Sequence, residues 1–336
     1  METQNAAYEG DFHGEHAIWL KHGRYEAAVL PERGANLILF RDLENGFRYL
    51  REPEANEMED FIANPGIYGI PVLFPPNRFD GGKFAWEGKV YELPVNETDR
   101  GNHLHGFMHQ LPWAVDYIKG DEYESVVVLS QRVRDGHLYK QYFPFEFTIS
   151  LRYTLSGEGL QQHVTVTNDG QERMPNLLAF HTAINAPFVP GSAASDYTFK
   201  MTIGQRWEMT ERMLPTGQFQ TLSEEEESMK AEGVSPYFAS MDNHYTAVPQ
   251  DGRNRMELTD QRTGDVLVYD VGTAYKYWMI WNNGAGGKFF CPEPQINLVN
   301  APNISDLPAE EMGLLGLEPG ERWEETSSFY AIKRTK

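Results

Sequence analysis

The sequence predicts an all-β protein, a sandwich or barrel-like fold of many short strands, and three observations carry that prediction. From Phe147 to Leu155 the chain alternates strictly: Phe147, Ile149, Leu151, Tyr153 and Leu155 are apolar, while Thr148, Ser150, Arg152 and Thr154 are polar. That two-residue period is the signature of a strand with one face buried. Apolar runs of strand length recur along the whole chain, broken by 30 Gly and 20 Pro, the spacing of a sandwich or barrel rather than of a helical protein. Helix signals are few.

The elements follow in order. Ala27–Leu30 and Asn36–Phe40 flank a turn at Pro31-Glu32-Arg33-Gly34. Val126–Leu129 reads as a strand buried on both faces. The alternating strand 147–155 is followed by a second, in which Val164 and Val166 lie between His163, Thr165 and Thr167. Asn168-Asp169-Gly170 then supplies a turn. Val266–Tyr269 and Tyr277–Trp281 are late strands. The best helix runs from Ser223 to Ala231, with Ser223 as its cap and Glu224–Glu227 suited to the positive end of the helix dipole. This acidic excursion, about 222–233, is expected to be a solvated surface feature. No repeat, low-complexity tract or linker-like shift is visible, so one large domain over 1–336 is the simplest organisation.

Composition removes several function classes. With 29 Lys and Arg against 49 Asp and Glu, the net charge is −20. Such a surface repels phosphate backbones and anionic lipid headgroups, so no nucleic-acid or membrane partner is expected. Cys291 is the single cysteine, which excludes an intrachain disulfide and a multi-cysteine metal site. Met1–Asn5 shows neither a basic n-region nor an apolar h-region, and no apolar run approaches the roughly 18 residues of a membrane span. A cytoplasmic setting is the expectation.

Candidate chemistry lies in a few places. In Phe289-Phe290-Cys291-Pro292-Glu293-Pro294-Gln295 a glutamate stands between two prolines. Each proline fixes φ and pushes its predecessor towards extended geometry, so Glu293 is held on a stiff segment beside apolar residues. That presentation suits a general base; the alternative is an exposed glutamate in a turn. Histidines gather at Asn102-His103-Leu104-His105-Gly106-Phe107-Met108-His109. On a strand His103 and His105 would share a face. The spacing admits a metal site, but no supporting carboxylate follows, so none is assigned. Hydrogen bonding to a polar ligand is the other use. Arg78, between a proline-stiffened segment and Gly81-Gly82, carries a rigid fork of donors suited to several oxygens; the alternative is a surface ion pair. His181 ends the apolar run Pro175–Phe180, a place where an isolated histidine is more often a satisfied core residue than a catalyst. Asp242 lies in a stretch with no independent signal.

The order and surroundings of these residues carry more than each one alone. Asn77-Arg78-Phe79, Gly82, Phe84, Gly88, Tyr91, Leu93 and Asn96 lead to Asn102 and Leu104-His105-Gly106. Tyr142, Pro144-Phe145, Phe147, Thr165–Asn168 and Met174-Pro175 lead to His181, and Trp281 to Phe290-Cys291, Glu293-Pro294-Gln295 and Asn300. The pattern, over about residues 20–330, resembles the aldose 1-epimerase (galactose mutarotase) family. The resemblance implies a large antiparallel β-sandwich of the galactose mutarotase type. It implies an isomerase that interconverts the α and β anomers of an aldohexose, with a monosaccharide as partner, no metal and no cofactor. A homodimer is left open. Glu293 matches the family's catalytic base, His181 its catalytic acid, and His105 a histidine beside the reacting centre. Arg78 and Asp242 match binders of sugar hydroxyls, with Asn77 next to Arg78. The form His105-Gly106-Phe107 up to Pro112-Trp113 departs from the family's common two glycines and resembles bacterial relatives that include hexose-6-phosphate epimerases. Thr182-Ala183 replaces the usual aromatic pair after the histidine. Both departures leave the sugar open, a free hexose or its 6-phosphate. A carboxylate-pair glycosidase built on Asp242 and Glu293, or a sugar-binding regulator without catalysis, are the competing readings.

Overall fold

The computed structural model describes residues 5–333; Met1–Gln4, part of the stretch inspected for a targeting signal, lie outside it. The chain forms two eight-stranded sheets and a five-stranded N-terminal sheet, with several two-stranded ladders. The named strands pair antiparallel, as the resemblance implies. The alternating segment is the strand Phe147–Ser156, in which every apolar residue is buried and every polar one half-buried. It pairs with Gly159–Asn168, bringing Leu151 against Val164. Val126, Val127 and Leu129 are buried in Ser125–Val133. Pro31–Arg33 makes one 3₁₀ turn between Tyr25–Leu30 and Asn36–Asp42. Gly34 closes that turn with φ 71°, and a Cβ there would meet the backbone of His109 at 2.4 Å. The turn thus seats the histidine-rich segment directly against the N-terminal sheet.

The first large sheet runs Ala114–Gly120, Ser125–Val133, Phe147–Ser156, Gly159–Asn168, Arg322–Lys333, Asp265–Asp270, Arg255–Asp260 and Tyr197–Met201. The second runs Pro215–Gln220, Ile203–Met209, Asp242–Ala247, Tyr277–Trp281, Phe289–Gln295, Ala179–Phe180 and Val72–Leu73, with Ile184–Asn185 also on Phe289–Gln295. Period two divides this second sheet between two tasks. Trp278, Ile280 and Phe290 face the first sheet and join the main core, where Trp278 meets Tyr269 edge-on at 6.2 Å and Phe290 packs on Phe199 at 5.2 Å. Their neighbours Met279, Trp281, Cys291 and Glu293 therefore point to the opposite face. That face carries the candidate site. No helix among the described residues is long and apolar enough to cross a membrane.

The acidic excursion is the helix Glu224–Ala231, capped as expected by Ser223. Ser223 Oγ accepts from the Glu226 N–H at 3.2 Å, and Glu226 returns a carboxylate oxygen to the Ser223 N–H at 2.8 Å, a capping box. The excursion is not wholly solvated, however. Glu226 is buried, accepting from Tyr245 Oη at 2.5 Å and Arg206 Nη1 at 3.1 Å, and so ties the helix to the second sheet. Removing it would leave Arg206 without its buried counter-charge. Glu226→Ala is therefore expected to cost about 3 kcal/mol of stability in urea unfolding, whereas Glu224→Ala and Glu225→Ala, on exposed positions, change it by less than about 0.5 kcal/mol.

Candidate functional site

Two prolines in a central strand are unusual, because each lacks a ladder N–H. The register of Phe289–Gln295 explains how they are accommodated. Gln295 accepts from the Lys276 N–H at 3.1 Å, so its backbone faces the strand Tyr277–Trp281. Ile296 donates to Leu178 at 3.0 Å, on the other side. Residues alternate sides along a strand, so Pro292 and Pro294 turn their missing donors towards Ala179–Phe180. On that side, among the described residues, ladder pairing occurs at two places, Gln295 with Ala179 and Phe289–Phe290 with Ile184–Asn185. The two pairs share one register, and counting along it sets His181 directly across from Glu293. The gap in the ladder thus holds the two residues face to face: His181 Nε2 lies 3.2 Å from Glu293 Oε1. Thr182, one residue on, points the other way and shares a hydrogen bond with Tyr269 Oη in the core at 3.1 Å.

The same register builds the floor around this pair. Met279 is the cross-strand partner of Glu293, and Trp281 that of both Cys291 and Asp242. Asp242 opens its strand beside Trp281, and the indole meets the His181 ring edge-on at 6.1 Å. Trp281 is the aromatic surface beside Glu293 and His181, a place the sequence did not single out among the seven tryptophans.

The wall comes from the two sequence blocks around Arg78 and His105. A short ladder pairs Arg78 with Leu104, and the His105 N–H donates to the Asn77 carbonyl at 2.9 Å. Here the strand expectation for the histidines fails. The strand Asn102–Leu104 ends before His105, which adopts φ 69°. His103 and His105 therefore do not share a face. His103 Nδ1 lies 2.7 Å from the Pro94 carbonyl, and its Nε2 accepts from the Gly106 N–H at 3.2 Å. His105 instead enters the site, its ring edge-on to His181 at 5.3 Å. Gly106 is required for this turn: it has φ 63°, and a Cβ would lie 2.2 Å from the Phe74 carbonyl oxygen.

All six sequence candidates, Asn77, Arg78, His105, His181, Asp242 and Glu293, line one open cleft of about 620 Å³, within the range of small-molecule sites. Arg78 is buried. Its Nε donates to both carboxylate oxygens of Glu97 at 3.0 and 3.1 Å, its Nη1 reaches Asn77 Oδ1 at 3.5 Å, and its Nη2 lies 3.5 Å from Asp242. The surface ion-pair alternative is thereby excluded, as is an exposed turn for Glu293, which is 1% exposed on its strand. The cleft also holds residues to which sequence reading gave no role, notably Glu97, His109 and Trp281. For His109 the only signal was its place in the histidine cluster.

Burial sets the protonation of the site. Glu293 is pushed well above the usual carboxylate range, first by burial and then by the Asp242 carboxylate, with Arg78 opposing. His181 is lowered to about 4, chiefly by burial, with His109 and Arg78 adding to it. His105 is likewise held well below the usual histidine value, first by burial and next by the neighbouring His181. Glu293 Oε2 and the Nδ1 atoms of His105 and His181 are buried without a protein partner among the described residues. Unmet polar groups of this kind inside a cleft mark a place for polar ligand atoms.

Residues 16–330 match the sequence model of the aldose 1-epimerase family. A galactose mutarotase-like protein from Clostridium acetobutylicum is similar over 98% of this chain and 99% of its own, with 31% identity and a TM-score of 0.94. Galactose 1-epimerase from Lactobacillus acidophilus superimposes over 99% of this chain and 100% of its own, with 16% identity and a TM-score of 0.71, a likeness of fold. The uncharacterized protein YihR of Escherichia coli (strain K12) is 24% identical over 147 residues, which is 43% of this chain and 44% of that protein. This chain belongs to the aldose 1-epimerase family.

Proposed function

We propose that the protein is a mutarotase that interconverts the anomers of a free aldohexose, with Glu293 as base and His181 as acid. The observation that carries this reading is the contact of Glu293 and His181 across the proline-interrupted ladder, at 3.2 Å on the cleft floor. Ring opening of a hemiacetal removes a proton from the C1 hydroxyl and delivers one to the ring oxygen. A carboxylate and an imidazolium perform both transfers, each worth about 10²- to 10⁴-fold.

The protonation of the site fits that cycle. Before ring opening the pair is carboxylate and imidazolium; afterwards it is carboxylic acid and neutral imidazole. One proton stays on the pair in both states, and only its position changes. Burial favours the uncharged arrangement, since it raises Glu293 and lowers His181, so the open-chain stage meets the protonation that the site prefers. The aldehyde then rotates about C1–C2 and closes from the other face with the roles reversed. His105, edge-on to His181, donates to the ring oxygen or a neighbouring hydroxyl. Arg78, Asn77 and Asp242 bind the remaining hydroxyls, and Trp281 covers the apolar face of the ring. The protein works as a soluble cytoplasmic enzyme, in keeping with its one buried, unpaired cysteine.

The test of substrate is a thermal-shift panel of hexoses and pentoses, followed by polarimetry on each freshly dissolved single anomer. A ligand of the native state raises the melting temperature. The expected outcome is a shift with at least one free hexose and faster mutarotation of that same sugar. Binding without acceleration would instead identify a non-catalytic sugar-binding protein.

A further inference from the structure

Beyond the reacting pair, the cleft wall carries a line of alternating charge. Beside Glu293 it begins at Asp242 and runs to Arg78 (3.5 Å), from Arg78 to Glu97 (3.0 Å) and from Glu97 to Arg100 (3.0 Å). All five line the same cleft. Glu97 is the hinge of this line. Its carboxylate accepts from Arg78 Nε on both oxygens, from Arg100 Nη1 on one and from Asn102 Nδ2 on the other at 3.0 Å. The side chains of Arg78 and Glu97 are 8% and 9% exposed, and that of Arg100 35%. Lys83, a basic residue five positions beyond Arg78, is 60% exposed, pairs with Glu92 at 3.6 Å and does not line the cleft.

Two arginines on one wall are the groups that recognise a phosphate through their planar donor forks. Here both are committed to a single carboxylate, and Asp242 stands against Arg78 on the other side. An anionic sugar entering the cleft would meet Glu97 and Asp242 together with the arginines, with no net positive charge to hold it. A sugar bound with C1 at Glu293 and its far end along this wall would bring a 6-phosphate against Arg100. We propose that Glu97 is a specificity-determining residue, which neutralises Arg78 and Arg100 and so makes the cleft accept uncharged aldoses and reject their phosphate esters. The inference rests on the aldose reading above and adds the residue that sets its charge class. Rejection of the wrong ligand by an unfavourable charge is a general device of selective sites.

The experiment compares glucose with glucose 6-phosphate by calorimetric titration, which needs no turnover and so separates this inference from the proposed catalysis. The wild-type protein is expected to bind glucose 6-phosphate no more tightly than glucose. In Glu97→Gln, with folding checked by its melting curve, affinity for glucose 6-phosphate rises by about tenfold or more, and added salt erodes the gain. Glucose itself binds more weakly there, because Arg78 loses its bidentate anchor. The double substitution Glu97→Gln with Arg100→Gln cancels the gain. Tighter binding of glucose 6-phosphate by the wild type overturns the proposal, and that result needs no variant. A folded Glu97→Gln protein without the gain, or a gain that survives loss of Arg100, overturns it as well.

Discussion

Glu293→Gln is expected to lower kcat for mutarotation by about 10³-fold, within the span of a lost general base, while affinity for the aldose changes little. The amide keeps the shape of the carboxylate and a hydrogen bond with His181, so the cleft persists and the chemistry does not. The same substitution is expected to leave the protein at least as stable at neutral pH. The carboxyl is raised well above its ordinary value of 4.5 in the folded state. Between that value and the folded one, the native state holds a proton that the unfolded chain has released. Stability therefore falls as pH rises through this window. Glutamine has no such dependence, so the melting temperature of Glu293→Gln should decline less with rising pH than that of the wild type.

His181→Asn is expected to lower kcat by about 10²- to 10⁴-fold and to change the shape of the pH profile. In the wild type the working pair carries one proton. A second is taken up only as pH falls towards about 4, where the buried His181 titrates. The acid limb of kcat/KM therefore lies well below 6.5, the ordinary histidine value, and belongs to the pair as a unit. The alkaline limb marks loss of the shared proton. In His181→Asn the acid limb near 4 disappears, because the group that takes the second proton is gone. His105→Gln lacks the contact with Glu293 and is expected to keep that limb while raising KM. A His105 variant that abolished the limb would exchange the roles of the two histidines.

Much of this architecture was legible in the sequence where period and residue chemistry act locally. The alternation from Phe147 to Leu155 marks a strand because one face must be buried wherever it lies in the fold. Ser223 marks a helix start because its hydroxyl satisfies a donor three residues on. Glu293 between two prolines is stiff by covalent geometry. What was not legible depends on register. His181 at the end of an apolar run is indistinguishable from a core histidine until the pairings of Ala179 and Ile184 with Phe289–Gln295 set it opposite Glu293. His105 leaves the face of His103 through a left-handed turn, which no period-two rule anticipates. The resemblance to a known family supplied these two residues and Asp242, and the sheet supplies the physical reason they meet. Glu97 had neither route: it stands at a turn without periodicity, and although Arg100 is only three residues on, Arg78 reaches its carboxylate only in the folded chain. Glu226 was read as part of a solvated run because a run of four glutamates looks alike from end to end. The second sheet, through Arg206 and Tyr245, decides which one is buried.

The most direct measurement of the central claim is polarimetry of freshly dissolved α-glucose and α-galactose with catalytic amounts of the wild-type protein and of Glu293→Gln. The predicted result is a first-order relaxation that quickens in proportion to wild-type protein on at least one sugar and returns almost to the buffer rate with the variant. Relaxation equally fast with wild type and Glu293→Gln would contradict the assignment of Glu293 as the base, and buffer-rate relaxation of both sugars with the wild type would contradict glucose or galactose mutarotation itself.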